Sequence, residues 1–224
     1  MQGIGDFHIH VTHSSDSLLQ PRTLLKIASR KGIDVVAVTD HNTLDGSFET
    51  IREAKNQNSE VIVIPGMEIS TDRGHVLGLF IHECVRSRSY LDVVDEIKSQ
   101  NGLIIIPHPC KKSQKFNDSE FAIADLLEGL NGRATSKENN DALSLGKSLG
   151  KTMVAGSDAH FPFEVGRTRT ILPIKPACLD DMKKMLKEGL VLGIENDVDV
   201  ASPYVTHMLS CSLEMFRRLM WVHK

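Results

Sequence analysis

The sequence predicts a small α/β barrel, on three observations. Short apolar runs alternate with amphipathic helical stretches along most of the chain, the rhythm of parallel β-α units. Its 224 residues suit a single barrel. Histidines and acidic residues gather at or just beyond the C-terminal ends of the predicted strands, the face on which a barrel assembles its chemistry.

Taken in order, GIGDFH (3–8) reads as the first strand and PRTLLKIASRK (21–31) as the helix after it. Pro21 suits that helix's start and Gly32 its stop. The β-branched run DVVAVTD (34–40) reads as a buried strand, followed by a helix at 46–57. VIVIPGMEI (61–69) and HVLGLFI (75–81) are the next strands, and the hairpin-like GMEISTDRGHVLGL between them breaks the parallel rhythm. A helix at 90–100 leads into the strand LIIIPHP (103–109). ADLLEGL (124–130), a helix at 138–149, TMVAGSD (152–158), TRTILPI (168–174) and a helix at 179–188 continue the pattern. Residues 201–223 read as a terminal helix that packs its Met, Leu, Phe and Trp face onto the body as core. With no internal repeat and no low-complexity linker, one domain spanning 1–224 is expected.

Composition narrows the function classes. Hydrophobic residues at 41% and charged residues at 25% are ordinary for a globular protein. The net charge of −3 carries no basic excess, so a nucleic-acid substrate would have to be held locally at the site. Cys84, Cys110, Cys178 and Cys211 are widely separated, without a C-x-x-C pair, and are expected as buried thiols rather than a disulfide framework. The opening MQGIGDFHIH lacks a signal-peptide pattern and the chain lacks a run of about 18 apolar residues. A cytoplasmic protein without a membrane span is therefore expected; the oligomeric state is not legible.

Seven of the ten histidines lie at strand ends. In D-F-H-I-H (6–10) alternate residues of a strand point the same way, so His8 and His10 project toward one site. Neutral imidazoles so placed suit a borderline divalent ion such as Zn²⁺ or Mn²⁺, although a chance pair on an exposed strand has the same spelling. Asp6 either orients one of these rings from behind or simply ends a strand. T-D-H (39–41), P-G-M-E (65–68), G-H (74–75), P-H-P (107–109) and G-S-D-A-H (156–160) each place a candidate ligand after an apolar strand. Asp158 and His160 repeat the alternate spacing of the first pair. Any one of these motifs also fits a capped turn or a satisfied buried histidine. Five together point to a multinuclear hydrolytic site, because one carboxylate can bridge two cations.

With S-S-D-S (14–17) added, the series D-F-H-I-H, T-D-H-N-T, G-M-E, G-H-V-L-G, P-H-P and G-S-D-A-H resembles, in order and spacing, the motifs of the polymerase and histidinol phosphatase (PHP) superfamily. The resemblance runs from about residue 4 to residue 174. It implies a distorted, TIM-like (β/α)7 barrel, two or three divalent ions (Zn, Mn or Fe), and hydrolysis of phosphate esters as a phosphomonoesterase or small phosphodiesterase. Carried over residue by residue, it implies one ion on His8, His10, Glu68 and Asp158. A second ion shares Glu68 and takes His75 and His108, and a third takes Asp16, His41 and His160. The context of Asp16 suits an Asx turn or helix cap equally well, and His13 is a substitute for it. Asp40 reads as a partner behind the ligands, while His82, His207 and His223 match no motif. Some relatives carry an inserted domain; here about 50 residues separate His108 from Asp158, room for a β-α unit or two but no lid.

The expected mechanism is in-line attack on phosphorus by a hydroxide bridging two ions, with Asp158 or His160 shuttling the proton. Arg133 in L-N-G-R and Arg167 in E-V-G-R-T-R fall on the predicted catalytic face. A guanidinium fork matches phosphate, so both are candidate clamps, set against the plainer reading of surface loop arginines. Lys111 and Lys112 are weaker candidates. The expected partner is a small phosphorylated substrate, including a nucleotide or an oligonucleotide end. Two readings compete. An amidohydrolase-like C–N or C–O hydrolase also begins with H-x-H, but carries a bridging lysine where this chain offers Glu68. A non-catalytic metal-binding module would show eroded ligands, and none is missing.

Overall fold

The computed structural model describes residues 1–196 and 203–221. Strands β1 (Gly3–Ile9), β2 (Val35–Val38) and β3 (Ile62–Ser70) run parallel. β4 (His75–Leu79) lies antiparallel between β3 and β5 (Leu103–Ile106), the hairpin break foreseen in the sequence. β5, β6 (Leu126–Asn131) and β7 (Met153–Gly156) are parallel again. The sheet then nearly closes into a barrel. The Asp158 amide donates to the His8 carbonyl at 2.7 Å and the His10 amide to the Ala159 carbonyl at 2.9 Å, joining the chain after β7 to the end of β1.

β8 (Thr168–Leu172) departs from the expected rhythm, running antiparallel along β1 and carrying β9 (Gly193–Asn196) on its outer side. A parallel return needs a crossover of a dozen or more residues. Between β7 and β8 there is only a short loop with the 3₁₀ turn Pro162–Glu164, so the chain doubles back.

Helices α1 (Pro21–Arg30), α2 (Asp45–Asn56), α3 (Tyr90–Ser99), α4 (Asp118–Ile123), α5 (Ser136–Ser148), α6 (Leu179–Lys187) and α7 (Pro203–Trp221) complete the fold. α4 and β9 are short elements without a strong apolar pattern, and the sequence reading had no place for them. Val35 to Val38 are buried on both faces, as a strand between barrel interior and helix layer must be. Val35, Ala37, Leu77, Leu79, Leu103 and Ile105 fill the interior, where Met182, Met185 and Leu186 of α6 join them. Val36 and Val38 face the other way and meet Leu24, Leu25 and Ala28 of α1. Each buried Val, Leu, Ile or Met side chain among these contributes about 1.5–3 kcal/mol by leaving water.

Two expectations are corrected. α7 turns its polar side inward: Thr206 and Ser210 are buried, while Val205, Met208, Leu209, Met215 and Phe216 are exposed. The surface beneath it presents hydrogen-bonding groups, Arg133 and the carbonyls of Ser14, Ser15 and Ser17, and these select the polar face. The Trp221 side chain lies outside the described residues, as do His223 and the side chain of His207. The cysteines are not core residues: Cys84, Cys178 and Cys211 are exposed and Cys110 is half-buried. Among the described residues no helix is long and apolar enough to cross a membrane.

Candidate metal centre

β1 sends His8 and His10 to the same side, and barrel closure sets the loop after β7 against them. The two Nε2 atoms face each other at 3.1 Å. Asp158 Oδ1 lies 3.6 Å from His8 Nε2 and 3.4 Å from His10 Nε2. Glu68, on β3, is the hub. Its Oε1 meets His75 Nδ1 at 2.8 Å and His108 Nε2 at 3.2 Å; its Oε2 meets His41 Nδ1 at 2.9 Å and His10 Nε2 at 3.4 Å. Asp16, from the loop after β1, brings Oδ2 to 3.0 Å from His160 Nε2 and 3.5 Å from His41 Nε2. All the candidate ligands read from the sequence thus converge on one end of the barrel. Their grouping is more interleaved than expected: His10 stands between His41 and His160, with ring centroids 4.3 Å from each.

The backbone is bent to achieve this. Asp158 (φ 54°) and His108 (φ 32°) occupy the left-handed region just past their strands. Such residues cost on the order of 1–3 kcal/mol and persist where surroundings hold them. The Asp158 amide is held by the His8 carbonyl, and the His108 amide donates to Glu128 Oε2 at 2.6 Å. Gly156 is required by close approach, because a Cβ there would run into the His8 side chain and Glu128 Oε1.

Behind the rings stand residues that the sequence reading missed. Glu128 takes His8 Nδ1 at 3.1 Å, and its other oxygen also accepts from Asn131 Nδ2 at 3.0 Å. Its signal was available, as an acid in the middle of the apolar run ADLLEGL. The Ser14 hydroxyl donates to Asp40 Oδ1 at 2.6 Å, so its oxygen accepts from His10 Nδ1 at 3.1 Å and from the His41 amide at 3.1 Å. His160 Nδ1 donates to the Asp158 carbonyl at 2.8 Å. These contacts put the protons of His10 and His160 on Nδ1 and leave each Nε2 lone pair facing the cluster. Asp40 therefore stands behind His10, as expected, acting through Ser14. Asp6 does not touch an imidazole; it binds the amides of Ser157 (2.8 Å) and Gly166 (2.9 Å), with burial pushing its carboxyl up to about 6. His13 pairs with Glu49, outside the cluster.

The buried carboxylates are held ionised by the imidazoles and the lysine around them. Burial pushes the Glu68 carboxyl up, but His75, His8, His108 and His41 outweigh it and hold it well below the usual carboxylate range. Asp158 is likewise held down, against burial, by His8, Lys111, His10 and His160. Burial lowers His41, yet Asp16 and Glu68 raise it to about 11.

The donor set fits divalent ions. Asp16 Oδ1 is buried without a hydrogen-bond partner, as a ligand oxygen aimed at an ion would be. The 3.1 Å between the His8 and His10 nitrogens is close to the edge, roughly 3.3 Å, of a tetrahedron with Zn–N of about 2.0–2.1 Å. His108, like His41 and His75, turns a ring proton toward Glu68 that must leave before that nitrogen can ligate. Gln114 Nε2 donates to His108 Nδ1 at 2.9 Å, which puts the ring proton on Nε2 facing Glu68. Ligation through that nitrogen requires the proton to leave and the Gln114 contact to rearrange.

The cluster floors a cleft of about 490 Å³, rimmed by Lys111, Lys112, Arg133 and Glu138. Lys111 Nζ stands 3.4 Å from Asp158 Oδ2. Arg133 lines the cleft, but its Nη2 is turned to the Thr206 carbonyl (2.6 Å) and Ser210 Oγ (2.8 Å). Arg167 is 6% exposed, donates from Nη1 to the Gly132 carbonyl at 2.8 Å, and is not among the cleft-lining residues. The second clamp candidate is thus buried beside the cleft, and the lysines rated lower from sequence stand on its rim.

A PHP domain family model matches residues 6–139 and a PHP-associated model matches residues 136–191. Two proteins of Methanocaldococcus jannaschii are similar. MJ1587 is 42% identical over 115 residues, covering 46% of this chain and 66% of that one; MJ0417 is 31% identical over 172 residues, covering 72% and 67%. The chain thus spans about two thirds of the length of these relatives. A 5'-3' exoribonuclease of Haemophilus influenzae is 41% identical over 78 residues, covering 33% of this chain and 27% of that enzyme. In fold, the chain is similar to a two-domain Bacteroides vulgatus protein containing a predicted PHP-like metal-dependent phosphoesterase. The TM-score is 0.74 at 22% identity, covering 85% of this chain and 64% of that one.

Proposed function

The chain belongs to the PHP domain family, and from that premise we propose that it is a metal-dependent hydrolase of phosphate esters. The observation that carries this reading is the buried Glu68 carboxylate, met by ring nitrogens of His10, His41, His75 and His108 at 2.8 to 3.4 Å. A single carboxylate so surrounded is suited to joining two or more divalent ions, Zn²⁺, Mn²⁺ or Fe²⁺. Such ions, when bound, supply Lewis acidity and an activated water. His8, His10, Asp158, His75, His108, Asp16, His41 and His160 would hold them together with Glu68.

The remaining work falls to the chain's own residues. Glu128 and the Ser14–Asp40 pair fix the rings of His8 and His10, so that little reorganisation accompanies the reaction. Lys111, Lys112 and Arg133 offer fixed positive charge along the cleft rim for phosphoryl oxygens. Asp158 or His160 is the candidate to pass a proton to the leaving oxygen. A cleft of this size accepts a small phosphorylated molecule or the end of an oligonucleotide. Partial similarity to exoribonucleases, over 27% of the Haemophilus enzyme, supports keeping the latter.

Hydrolysis of a generic phosphomonoester and of a dinucleotide, with Mn²⁺, Zn²⁺ or Fe²⁺ added, tests the proposal. Turnover is expected in the wild type and lost in His8→Ala and Asp158→Ala, each remaining folded by circular dichroism. Full activity in either variant would sink the assignment.

A further inference from the structure

We propose that Arg217, on the C-terminal helix α7, is a positioning residue for Asp16. The loop from Val11 to Leu19 carries Asp16 beneath the cleft. Its inner side is tied to the barrel: the Ser17 hydroxyl contacts the carbonyls of His10 and His160, each at 2.9 Å. Its outer side is tied by α7. Arg217 Nη1 donates to the Ser14 carbonyl at 3.0 Å and the Ser15 carbonyl at 2.9 Å, and Nη2 to the Ser17 carbonyl at 3.2 Å. One guanidinium therefore brackets Asp16 on both sides in sequence. Three converging carbonyls need a planar donor with several N–H groups, which a lysine ammonium matches poorly.

The orientation of α7 argues that these contacts, and not general packing, set its place. A helix added for stability buries its apolar face. Here Met208, Met215 and Phe216 are exposed, while Thr206, Ser210 and Arg217 share the inward face. At its other end the same face holds Arg133, whose loop follows β6. α7 thus fastens two loops of the candidate site, one carrying a ligand and one carrying a cleft cation. Asp16 is the ligand most in need of this, because it comes from a loop and not from a strand end.

The inference rests on the metal reading above and is tested by two measurements on the full chain. Hydrogen–deuterium exchange of the metal-free protein is expected to rise across residues 12–19 in Arg217→Ala and less in Arg217→Lys. Mn²⁺ titration followed by equilibrium dialysis is expected to show the weakest-bound ion held roughly tenfold less tightly in Arg217→Ala, as for loss of one or two hydrogen bonds to a charged group. The other ions should be unchanged. Arg217→Lys, which keeps the charge, should lie between, and carries the test alone if the alanine variant does not fold. Unchanged exchange in the 12–19 loop, or unchanged Mn²⁺ affinity, overturns the assignment. A wild type that binds no Mn²⁺ overturns the metal reading and this inference with it, and the wild-type arm alone identifies that case.

Discussion

At Glu128 one carboxylate serves three neighbours: the His8 ring, the His108 amide and the Asn131 side chain. Partners of this kind typically govern metal affinity by 10–100-fold. Glu128→Gln keeps the shape and removes the charge, so a loss of affinity in that range is expected in competition with a chelating dye, without loss of fold. Affinity equal to wild type would show that His8 needs no such partner. Gly156→Ala pushes a methyl into the same pair and is expected to weaken metal binding too, with a lower Tm. The candidate ligands could be named from the sequence, most of them by residue type and place at a strand end, and Asp16 only through the family resemblance. The groups behind them were not legible. Ser14 and Gln114 acquire their roles only through the way their loops fold, Ser14 between His10 and Asp40 and Gln114 back onto His108, and Arg167 shows the converse. Its motif E-V-G-R-T-R fell on the predicted catalytic face, but its guanidinium is engaged by the Gly132 carbonyl.

Strands and helices with a strong period were readable, and elements set by connection length or by an unusual partner were not. TRTILPI was recognisable as a strand, whereas its antiparallel direction follows from the short link after β7. α7 was recognisable as a helix, whereas the face it buries is chosen by Arg133 and the Ser14–Ser17 carbonyls against the apolar pattern of its own sequence. α6 obeys the ordinary rule, burying Met182, Met185 and Leu186 in the barrel interior. Met182→Ala is therefore expected to cost about 2–5 kcal/mol in urea denaturation. Its metal stoichiometry should match the wild type, because α6 contributes no ligand. A change in stoichiometry would mean that the interior packing and the metal site are one cooperative unit.

For the molecule as a whole, the decisive feature is closure. Hydrogen bonds from Asp158 to His8 and from His10 to Ala159 bring motifs from opposite ends of the matched region within ligand distance. The net charge of −3 gives the whole surface little long-range pull on nucleic acid, while Lys111, Lys112 and Arg133 put positive charge locally at the cleft. The closed site is proposed to bind metal and to use it on phosphate esters. Metal content and phosphoester turnover measured on one preparation test that proposal most directly. Two or three divalent ions per chain are predicted, with turnover abolished by a chelator and restored by Mn²⁺ or Zn²⁺. Bound metal without turnover of any phosphomonoester, phosphodiester or oligonucleotide end would contradict it.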